Sequence, residues 1–333
     1  MQLLLAFFSI ISLVLAASRT AAPAGAITVA KSGARFTKIQ DAVNSLNTSF
    51  TGTQIIFISP GTYDEQVYIP ARKAALTIYG YTTDTMSYTA NQVTITHGLS
   101  QATVKGNDNT ATVRAWSSNF KMYNINMVNT YGKGSQALAL SAQATNQGYY
   151  GCQFKGYQDT VLSNKGSQVF AKCLIVGATD FIFGQNAATW FDQCDIRVLA
   201  ASLGYITANG RDSATNPSYY AFNRCTIAAL SGNNVSNGAY YLGRPWRNYS
   251  RVVFQRTSMS SVINGAGWHI WNTGEENTGH VYYGEFGNTG SGASGSRVSF
   301  STKLSGPVGI STILGTGWQN ATWIDRTYLF GDL

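Results

Sequence analysis

The feature that most constrains this sequence is a short pattern that recurs through its middle. Cys152, Cys173, Cys194 and Cys225 are separated by 21, 21 and 31 residues. Each cysteine follows an aromatic residue by three positions and precedes an apolar residue by two. A strand-sized pattern with a minimum period near 21 is typical of a solenoid in which every coil contributes the same strand.

The pattern continues on both sides of the cysteines. Residues 120–125 precede the set by 29 positions, and residues 254–259 follow it by 32, which makes six units. Apolar positions alternate with a period of two, which favours strands over helices. The sequence therefore predicts an all-β fold, in which the longer steps are loops that leave one side of the solenoid and can build a groove.

The four cysteines allow two interpretations. Equivalent residues on neighbouring coils lie about 5 Å apart, which would suit disulfides in an oxidising compartment. Free cysteines are also among the most buried residue types and would stack as small apolar groups. Their spacing does not resemble a metal site, so no metal is predicted.

The N-terminus has the character of a signal peptide. Residues 1–17 form an uncharged apolar stretch that ends in small residues suited to cleavage, although a retained anchor is the alternative. We expect residues 18–25 to be a short N-terminal segment, residues 26–333 to form one domain, and the mature protein to be secreted and free of the membrane. Four glycosylation sequons fit that compartment, at Asn47, Asn234, Asn248 and Asn320.

Both ends of the predicted solenoid need a cover. Phe36, Ile39 and Val43 would share one face of a helix, which predicts an N-terminal capping helix. Residues 305–333, with Trp318 and Trp323, are expected to fold back over the coils as loop and short helix. No internal linker divides the chain.

The charge balance favours an anionic partner. The chain has 23 basic and 15 acidic residues and a net charge of +8. A basic surface with no partner is the alternative, and nucleic acid and anionic polysaccharide both remain open on charge alone. The sequence contains no run of five Lys or Arg.

Two aspartates are candidates for chemistry. Asp159 and Asp180 each follow a cysteine by seven residues, so they would stack on adjacent coils about 5 Å apart. Like charges at that distance separate their pKa values, which leaves one carboxylate and one carboxylic acid near neutral pH. The alternative is that both aspartates cap turns. A serine mechanism is not supported, because Gly-x-Ser-x-Gly is missing and the sequence has only three histidines.

Five motifs in order resemble those of the pectin methylesterase family, and the likeness extends over nearly the whole mature chain. They are GTYDE at residues 61–65, QALAL at 136–140, GYQDT at 156–160, DFIFG at 180–184 and LGRPW at 242–246. The resemblance implies a single-stranded right-handed parallel β-helix, without the pro-region of some plant enzymes. It also implies hydrolysis of methyl esters of polygalacturonate to pectate and methanol, in plant cell-wall pectin degradation, without a cofactor.

The resemblance also implies roles for single residues. Asp180 would be the nucleophile, and Asp159 the general acid that then acts as base. Arg244 would pair with Asp180 and orient it, and Gln136 and Gln158 would stabilise the oxyanion.

Three aromatic residues match positions of the family's substrate cleft or lie beside them: Trp246, Trp268 and Phe183. The implied partner is pectin, with no nucleic acid, and the protein is expected to be a monomer. A polygalacturonase or pectate lyase would use the same fold on the same polymer, and a wall-binding protein without activity is a further alternative.

Overall fold

The chain folds into three long sheets that share its coils. The structure, a computed structural model, describes residues 17–331, so the predicted signal peptide lies outside the described residues apart from Ala17. Within these residues the strands form an 11-stranded, a 7-stranded and an 8-stranded sheet. Strands from successive coils pair in parallel in each sheet, as in Phe170↔Phe191 and Ile175↔Ile196.

The strands of each sheet follow one another along the solenoid axis. The 11-stranded sheet contains Ile27–Val29, Gln54–Ile58, Leu76–Gly80, Phe120–Tyr123, Gln147–Tyr150, Lys165–Ala171, Asn186–Asp192, Tyr219–Asn223, Arg251–Gln255, Tyr282–Phe286 and Ser301–Lys303. The 8-stranded sheet contains Gly61–Asp64, Val93–His97, Asn126–Asn129, Gln153–Lys155, Leu174–Gly177, Asp195–Val198, Thr226–Ala229 and Ser258–Met259. The 7-stranded sheet contains Val67–Ile69, Val113–Ala115, Leu140–Ala142, Val161–Ser163, Thr179–Gly184, Gly204–Asn209 and Tyr240–Gly243.

Helices are short and lie outside the sheets. The α-helices are Ile39–Asn44, Asn107–Thr110 and Ile310–Leu314, and the 3-10 helices are Tyr88–Ala90, Ser291–Ala293, Trp318–Asn320 and Arg326–Tyr328. None of the helices within residues 17–331 is long and apolar enough to cross a membrane.

The three parallel sheets and the shortness of the helices confirm the predicted all-β parallel β-helix.

In-register stacking of identical residues fills the interior. Phe170, Phe191, Phe222 and Phe254 form a column with ring centroids 5.0, 4.3 and 4.3 Å apart. One predicted unit is displaced, because Tyr149 pairs with Met122, whereas the 29-residue step had matched it with Phe120. The step between these coils is two residues shorter than predicted. Because a shift of two residues keeps Phe120 facing inward, the alternation of apolar residues could not reveal the difference.

The four cysteines form a second buried column. All four are free thiols and are shielded from solvent. Each thiol lies near backbone carbonyl oxygens, as in Cys173 Sγ to Ala171 O at 3.3 Å. Of the two interpretations that the spacing allowed, the structure has the stacked free thiols.

A left-handed residue makes the turn between the 11-stranded and 8-stranded sheets compact. This turn is occupied on successive coils by Asn124, Gly151, Lys172, Gln193, Arg224 and Arg256, with φ between 51° and 58°. A single residue in this conformation bends the chain from one sheet to the next without a loop. This short turn allows a coil of only 21 residues.

The helix near the N-terminus is shorter than the predicted helix, because Phe36 lies outside it. It begins at Ile39 and buries Ile39, Ala42 and Val43 against the first strands of the 11-stranded and 7-stranded sheets. Phe36 lies before the helix and forms a bridge with Val29. The predicted N-terminal segment 18–25 also contacts the 11-stranded sheet, since the Arg19 guanidinium lies 4.2 Å from the ring centroid of Tyr79.

The C-terminal segment folds back over the 11-stranded sheet, as predicted. Its buried residues include Ile310, Ile313, Trp318, Trp323 and Tyr328, which pack on outward-facing side chains of that sheet. The Tyr150 hydroxyl donates to the Trp323 carbonyl at 3.0 Å. This cover turns the outer face of the sheet into a second core.

We expect Phe222→Ala to lower the free energy of unfolding by about 3–5 kcal/mol, because the substitution leaves a cavity between two stacked rings. Chemical denaturation followed by fluorescence measures this change. Phe50→Ala is the matched control, since Phe50 is 44% exposed. Equal stability of the two variants would contradict the stacking account.

Candidate active site

The two aspartates meet on the outer face of the 7-stranded sheet. Asp159 precedes the strand Val161–Ser163, and Asp180 lies in the adjacent strand Thr179–Gly184. These strands pair with Leu162 opposite Phe183, which puts the aspartates at equivalent positions of neighbouring coils. Both side chains are buried and line one cleft of about 330 Å³. The predicted stacking on adjacent coils therefore holds.

An irregularity in the strand turns Asp180 toward the cleft. Asp159 and Asp180 have φ values of 61° and 49°, a left-handed conformation that aspartate tolerates better than most residues. The register toward the next strand shifts between Thr179 and Ile182. Phe181 and Ile182 consequently both face the core, which frees Asp180 and Phe183 to line the cleft. Neither aspartate side chain accepts a backbone N–H within the described residues, so turn capping does not explain them.

Arg244 holds the Asp180 carboxylate in a two-point ion pair. Its Nε donates to Oδ1 at 3.0 Å and its Nη2 donates to Oδ2 at 2.6 Å. The guanidinium carbon lies 4.2 Å from the Tyr205 ring centroid and 4.3 Å from that of Trp271. A planar guanidinium fits this slot and a lysine would not, because lysine offers neither the fork nor the stacking surface.

The two carboxyl groups have unequal electrostatic surroundings. Burial raises the pKa of Asp159 well above its usual value, and the nearby Asp180 charge raises it further, while Arg244 opposes both effects. Burial also raises the pKa of Asp180 above its usual value, but the hydrogen bonds and charge of Arg244 limit this rise. The arginine therefore favours a charged Asp180 beside a protonated Asp159.

Two glutamines frame the same space. The Ala137 N–H donates to the Gln158 carbonyl at 3.1 Å, which holds Gln136 and Gln158 on neighbouring coils. Both side chains line the cleft with the aspartates. Neither side-chain NH₂ group donates a hydrogen bond to any residue between 17 and 331, so both are available to a bound molecule.

Aromatic and apolar side chains form the floor and walls of the cleft. Phe183 packs with Leu162 and Ala208 in an apolar cluster outside the solenoid, with Trp246 and Trp271 against it. The Phe183 and Trp246 ring centroids are 6.2 Å apart. This mixture of an apolar floor and convergent polar groups is typical of a site for a carbohydrate or other small organic molecule.

The prediction for Trp268 was wrong. Trp268 is fully buried inside the solenoid, where its ring stacks on Tyr283 with centroids 4.1 Å apart. Its Nε1 donates to Glu285 Oε1 at 3.2 Å. The Trp268 backbone forms a β-bridge with Gly243 at the end of the 7-stranded sheet, and its side chain points into the core.

Trp271, three residues later, occupies the cleft, and sequence reasoning missed it. It lines the cleft and stacks on Arg244. Tyr205, on the other side of the arginine, was also missed, as were Gln101 and Asn107 at the rim. The spacing Trp268-His269-Ile270-Trp271 was visible, but only the backbone path decides which tryptophan faces outward.

The histidines lie elsewhere. His97 contacts Asp64 at 3.4 Å on the 8-stranded sheet, and His269 Nδ1 lies 2.7 Å from the Ile270 carbonyl oxygen. Among residues 17–331, no group of three His, Cys, Asp or Glu side chains is placed to hold a metal ion.

The raised pKa of Asp159 predicts a pH-dependent stability difference. Above the unfolded pKa near 3.8, the native state retains a proton that the unfolded state has lost, so stability falls as pH rises. Asp159→Asn removes this titration. We expect the variant to be more stable than the wild type at pH 7, with the difference closing toward pH 3.

Thermal unfolding of both proteins across this pH range measures the difference. Asp64→Asn serves as control, because the Asp64 side chain is 80% exposed. A stability difference between Asp159→Asn and wild type that did not change with pH would contradict the assignment.

Comparison with known proteins identifies the family. The pectinesterase family model matches residues 26–305. A pectinesterase from Aspergillus niger is 53% identical over 317 residues, which cover 95% of this chain and 95% of that protein. The crystal structure of the pectin methylesterase from Aspergillus niger superposes with a TM-score of 0.87 at 43% identity, covering 94% of this chain and all of that one.

A plant protein has the same fold at lower identity. The pectin methylesterase from carrot superposes with a TM-score of 0.82 at 30% identity, covering 93% of this chain and 99% of that one. Family model, curated relatives and solved structures thus agree over nearly all of the described chain. The chain belongs to the pectinesterase family and is an enzyme of that class, a carboxylic ester hydrolase.

Proposed function

We propose that this enzyme hydrolyses methyl esters of polygalacturonate, releasing methanol and leaving pectate, with Asp180 as nucleophile and Asp159 as general acid and base. The observation that carries the proposal is the asymmetry of the two adjacent carboxyl groups, of which one is clamped by Arg244 and the other is not. A mere binder of an anionic polymer has no use for two buried carboxyl groups in its groove.

In the first half of the reaction, an Asp180 oxygen attacks the ester carbonyl carbon and forms a tetrahedral intermediate. The C–O bond to the methoxy group then breaks, and Asp159 gives its proton to the departing oxygen. Methanol leaves, and the galacturonyl group remains attached to Asp180 as an anhydride. A protonated Asp159 is what this step requires, and burial beside Asp180 favours that form.

In the second half, Asp159 takes a proton from water, and the resulting hydroxide attacks the galacturonyl carbonyl. The bond to Asp180 breaks, which returns Asp180 as a carboxylate paired with Arg244 and restores the proton on Asp159. Arg244 orients the nucleophile in both halves and stabilises the leaving carboxylate. Its bidentate contact leaves little freedom for the carboxylate to rotate away.

Gln136 and Gln158 are assigned to the oxyanion that forms in each half. Their amide N–H groups are unused within the described chain, and both line the cleft with the aspartates. A donor of this kind contributes about 3 kcal/mol to transition-state stabilisation in comparable sites. Phe183 and Trp246 exclude water and receive the sugar, together with Trp271.

We also propose that the protein acts outside the cell, on pectin of the plant cell wall. The apolar leader and the sequons support secretion, and the +8 charge suits an anionic polymer. Asn47, Asn234 and Asn320 are exposed. Asn248 is half-buried, and its Oδ1 accepts a hydrogen bond from the Gly279 N–H at 2.8 Å, which makes it a poor glycan acceptor.

Asp180→Ala should abolish methanol release from highly esterified pectin, because no other group replaces the nucleophile. We expect a loss of at least about 10³-fold in kcat. Asp195→Ala is the matched control, since Asp195 also pairs with an arginine, Arg197, but lies outside the cleft. The control should keep near wild-type kcat.

Polymer length is followed in the same reactions. Methanol release without chain shortening supports an esterase. Backbone cleavage by the wild type would favour a depolymerase, and pectin binding without methanol release would favour a wall-binding protein. Full activity of Asp180→Ala would refute the nucleophile.

A further inference from the structure

We propose that the edge between the 11-stranded and 8-stranded sheets carries a second binding site, separate from the cleft, at which Lys172, Arg224 and Arg256 bind the carboxylates of a de-esterified galacturonate block. We call these three residues the basic ridge. The inference rests on the proposed function, because its ligand is the polymer that the proposed reaction leaves behind.

The basic ridge follows the solenoid axis on the side away from the cleft. The pairing Asn223↔Gln255 places Arg224 and Arg256, the residues that follow them, on adjacent coils about 5 Å apart. Lys172 lies two coils before Arg224, which is about 10 Å. Each coil runs from the 11-stranded to the 8-stranded and then to the 7-stranded sheet, so this edge lies across the solenoid from the cleft.

The backbone at the three positions favours other residue types. Lys172, Arg224 and Arg256 have φ between 51° and 53°, a conformation that glycine and asparagine adopt more readily than long side chains do. Earlier coils have such residues in the same turn, Asn124 and Gly151. Backbone preference therefore does not explain the basic residues, and a non-glycine residue in this conformation is a reason to look for a function of its side chain.

A loop covers the same edge on the earlier coils. Asn124 Nδ2 donates to the Thr85 carbonyl at 3.1 Å, and Asn91 Nδ2 donates to the Gly151 carbonyl at 2.8 Å. The basic ridge begins on the next coil, at Lys172, and all three of its side chains are partly exposed. The cations thus occupy the part of the edge that a polymer can reach.

The basic ridge has no counter-charge of its own. Among residues 17–331, none of its three cations lies within 4.0 Å of a carboxylate oxygen. Arg224 Nε and Arg256 Nη1 are buried and make no hydrogen bond to the described chain. Two neighbouring guanidinium groups with unused donors repel each other, and a carboxylate bound between them would both offset that repulsion and accept hydrogen bonds.

The acidic residues nearest in sequence are engaged elsewhere. Asp192 accepts from Asn223 Nδ2 and from the Phe330 N–H, both at 2.7 Å. Asp195 pairs with Arg197 at 2.7 Å. Neither carboxylate is therefore available to neutralise the basic ridge.

Neutral groups hold two of the cations in place. The Arg224 guanidinium carbon lies 3.7 Å from the Phe330 ring centroid, and Lys172 Nζ donates to Gln193 Oε1 at 3.0 Å. These contacts restrict the side chains without cancelling their charge. A ligand that binds to side chains already held in position loses less entropy than one that must order them.

The chemistry of the basic ridge fits the product polymer better than the substrate. A de-esterified block carries a carboxylate on every sugar, so an extended chain along the axis offers a series of anions to the three cations. A guanidinium recognises a carboxylate through two parallel hydrogen bonds, whereas a methyl ester has no charge to pair. The site would therefore hold the enzyme on regions of the polymer that have already lost their esters.

The test removes the two adjacent arginine charges together. Arg224→Gln combined with Arg256→Gln should lower the affinity for immobilised polygalacturonate about tenfold at low ionic strength. The difference from the wild type should shrink as salt is added, because ions screen the attraction. For fully methylated trigalacturonate, kcat and KM should equal those of the wild type, which also shows that the double variant is folded.

Arg35→Gln combined with Lys38→Gln is the matched control, because it removes the same charge from exposed residues beside the N-terminal helix. Arg224→Lys combined with Arg256→Lys, which keeps the charge, should retain more affinity than the glutamine pair. An equal loss in the control, an unchanged affinity in the glutamine pair, or a larger loss toward DNA than toward polygalacturonate would overturn the basic ridge. Absence of methanol release by the wild type would instead overturn the proposed function.

Discussion

Parallel, in-register stacking of coils is the constraint on which the rest of this molecule depends. A residue at a given position in one coil meets the residue at the same position in the next, about 5 Å away. For phenylalanine and cysteine this is favourable, because identical apolar side chains pack into columns. For Asp159 and Asp180 the same rule places two carboxyl groups together in a buried cleft, which costs free energy.

Arg244 makes the electrostatic surroundings of the two aspartates unequal. Its fork binds Asp180 alone, and two aromatic rings hold the guanidinium in place. One carboxyl group is consequently supported as an anion, while burial beside that anion favours the protonated form of the other. The loop that begins at Arg244 also carries Trp246, so one departure from the solenoid supplies both the electrostatic asymmetry and an aromatic wall.

The coil length and the stacking of the two aspartates could be predicted from the spacing of the repeat. The step from Cys152 to Cys173 set the coil length, and the equal offset of Asp159 and Asp180 predicted that they would stack. The pairing of Arg244 came from a motif resemblance, since 64 residues separate it from Asp180 and no local pattern relates the two. The roles assigned to these residues, and to Gln136 and Gln158, remain proposals.

The failures occurred where a local backbone path decides which way a side chain points. Trp268 and Trp271 are close in sequence, and only the turn between them decides which one faces the core. The misplaced unit at Phe120 has the same origin, since a shift of two residues leaves the alternation intact. The spacing of the cysteines could not decide between free thiols and disulfides either, because both arrangements need similar spacing.

The central claim is that Asp159 holds a proton while Asp180 is charged. Difference infrared spectroscopy at pH 7 tests it directly, because a protonated carboxyl group has a carbonyl band that a carboxylate lacks. The account predicts that a band present in the wild type is lost in Asp159→Asn and retained in Asp64→Asn, whose carboxyl group is exposed. Retention of the complete band in Asp159→Asn would contradict it.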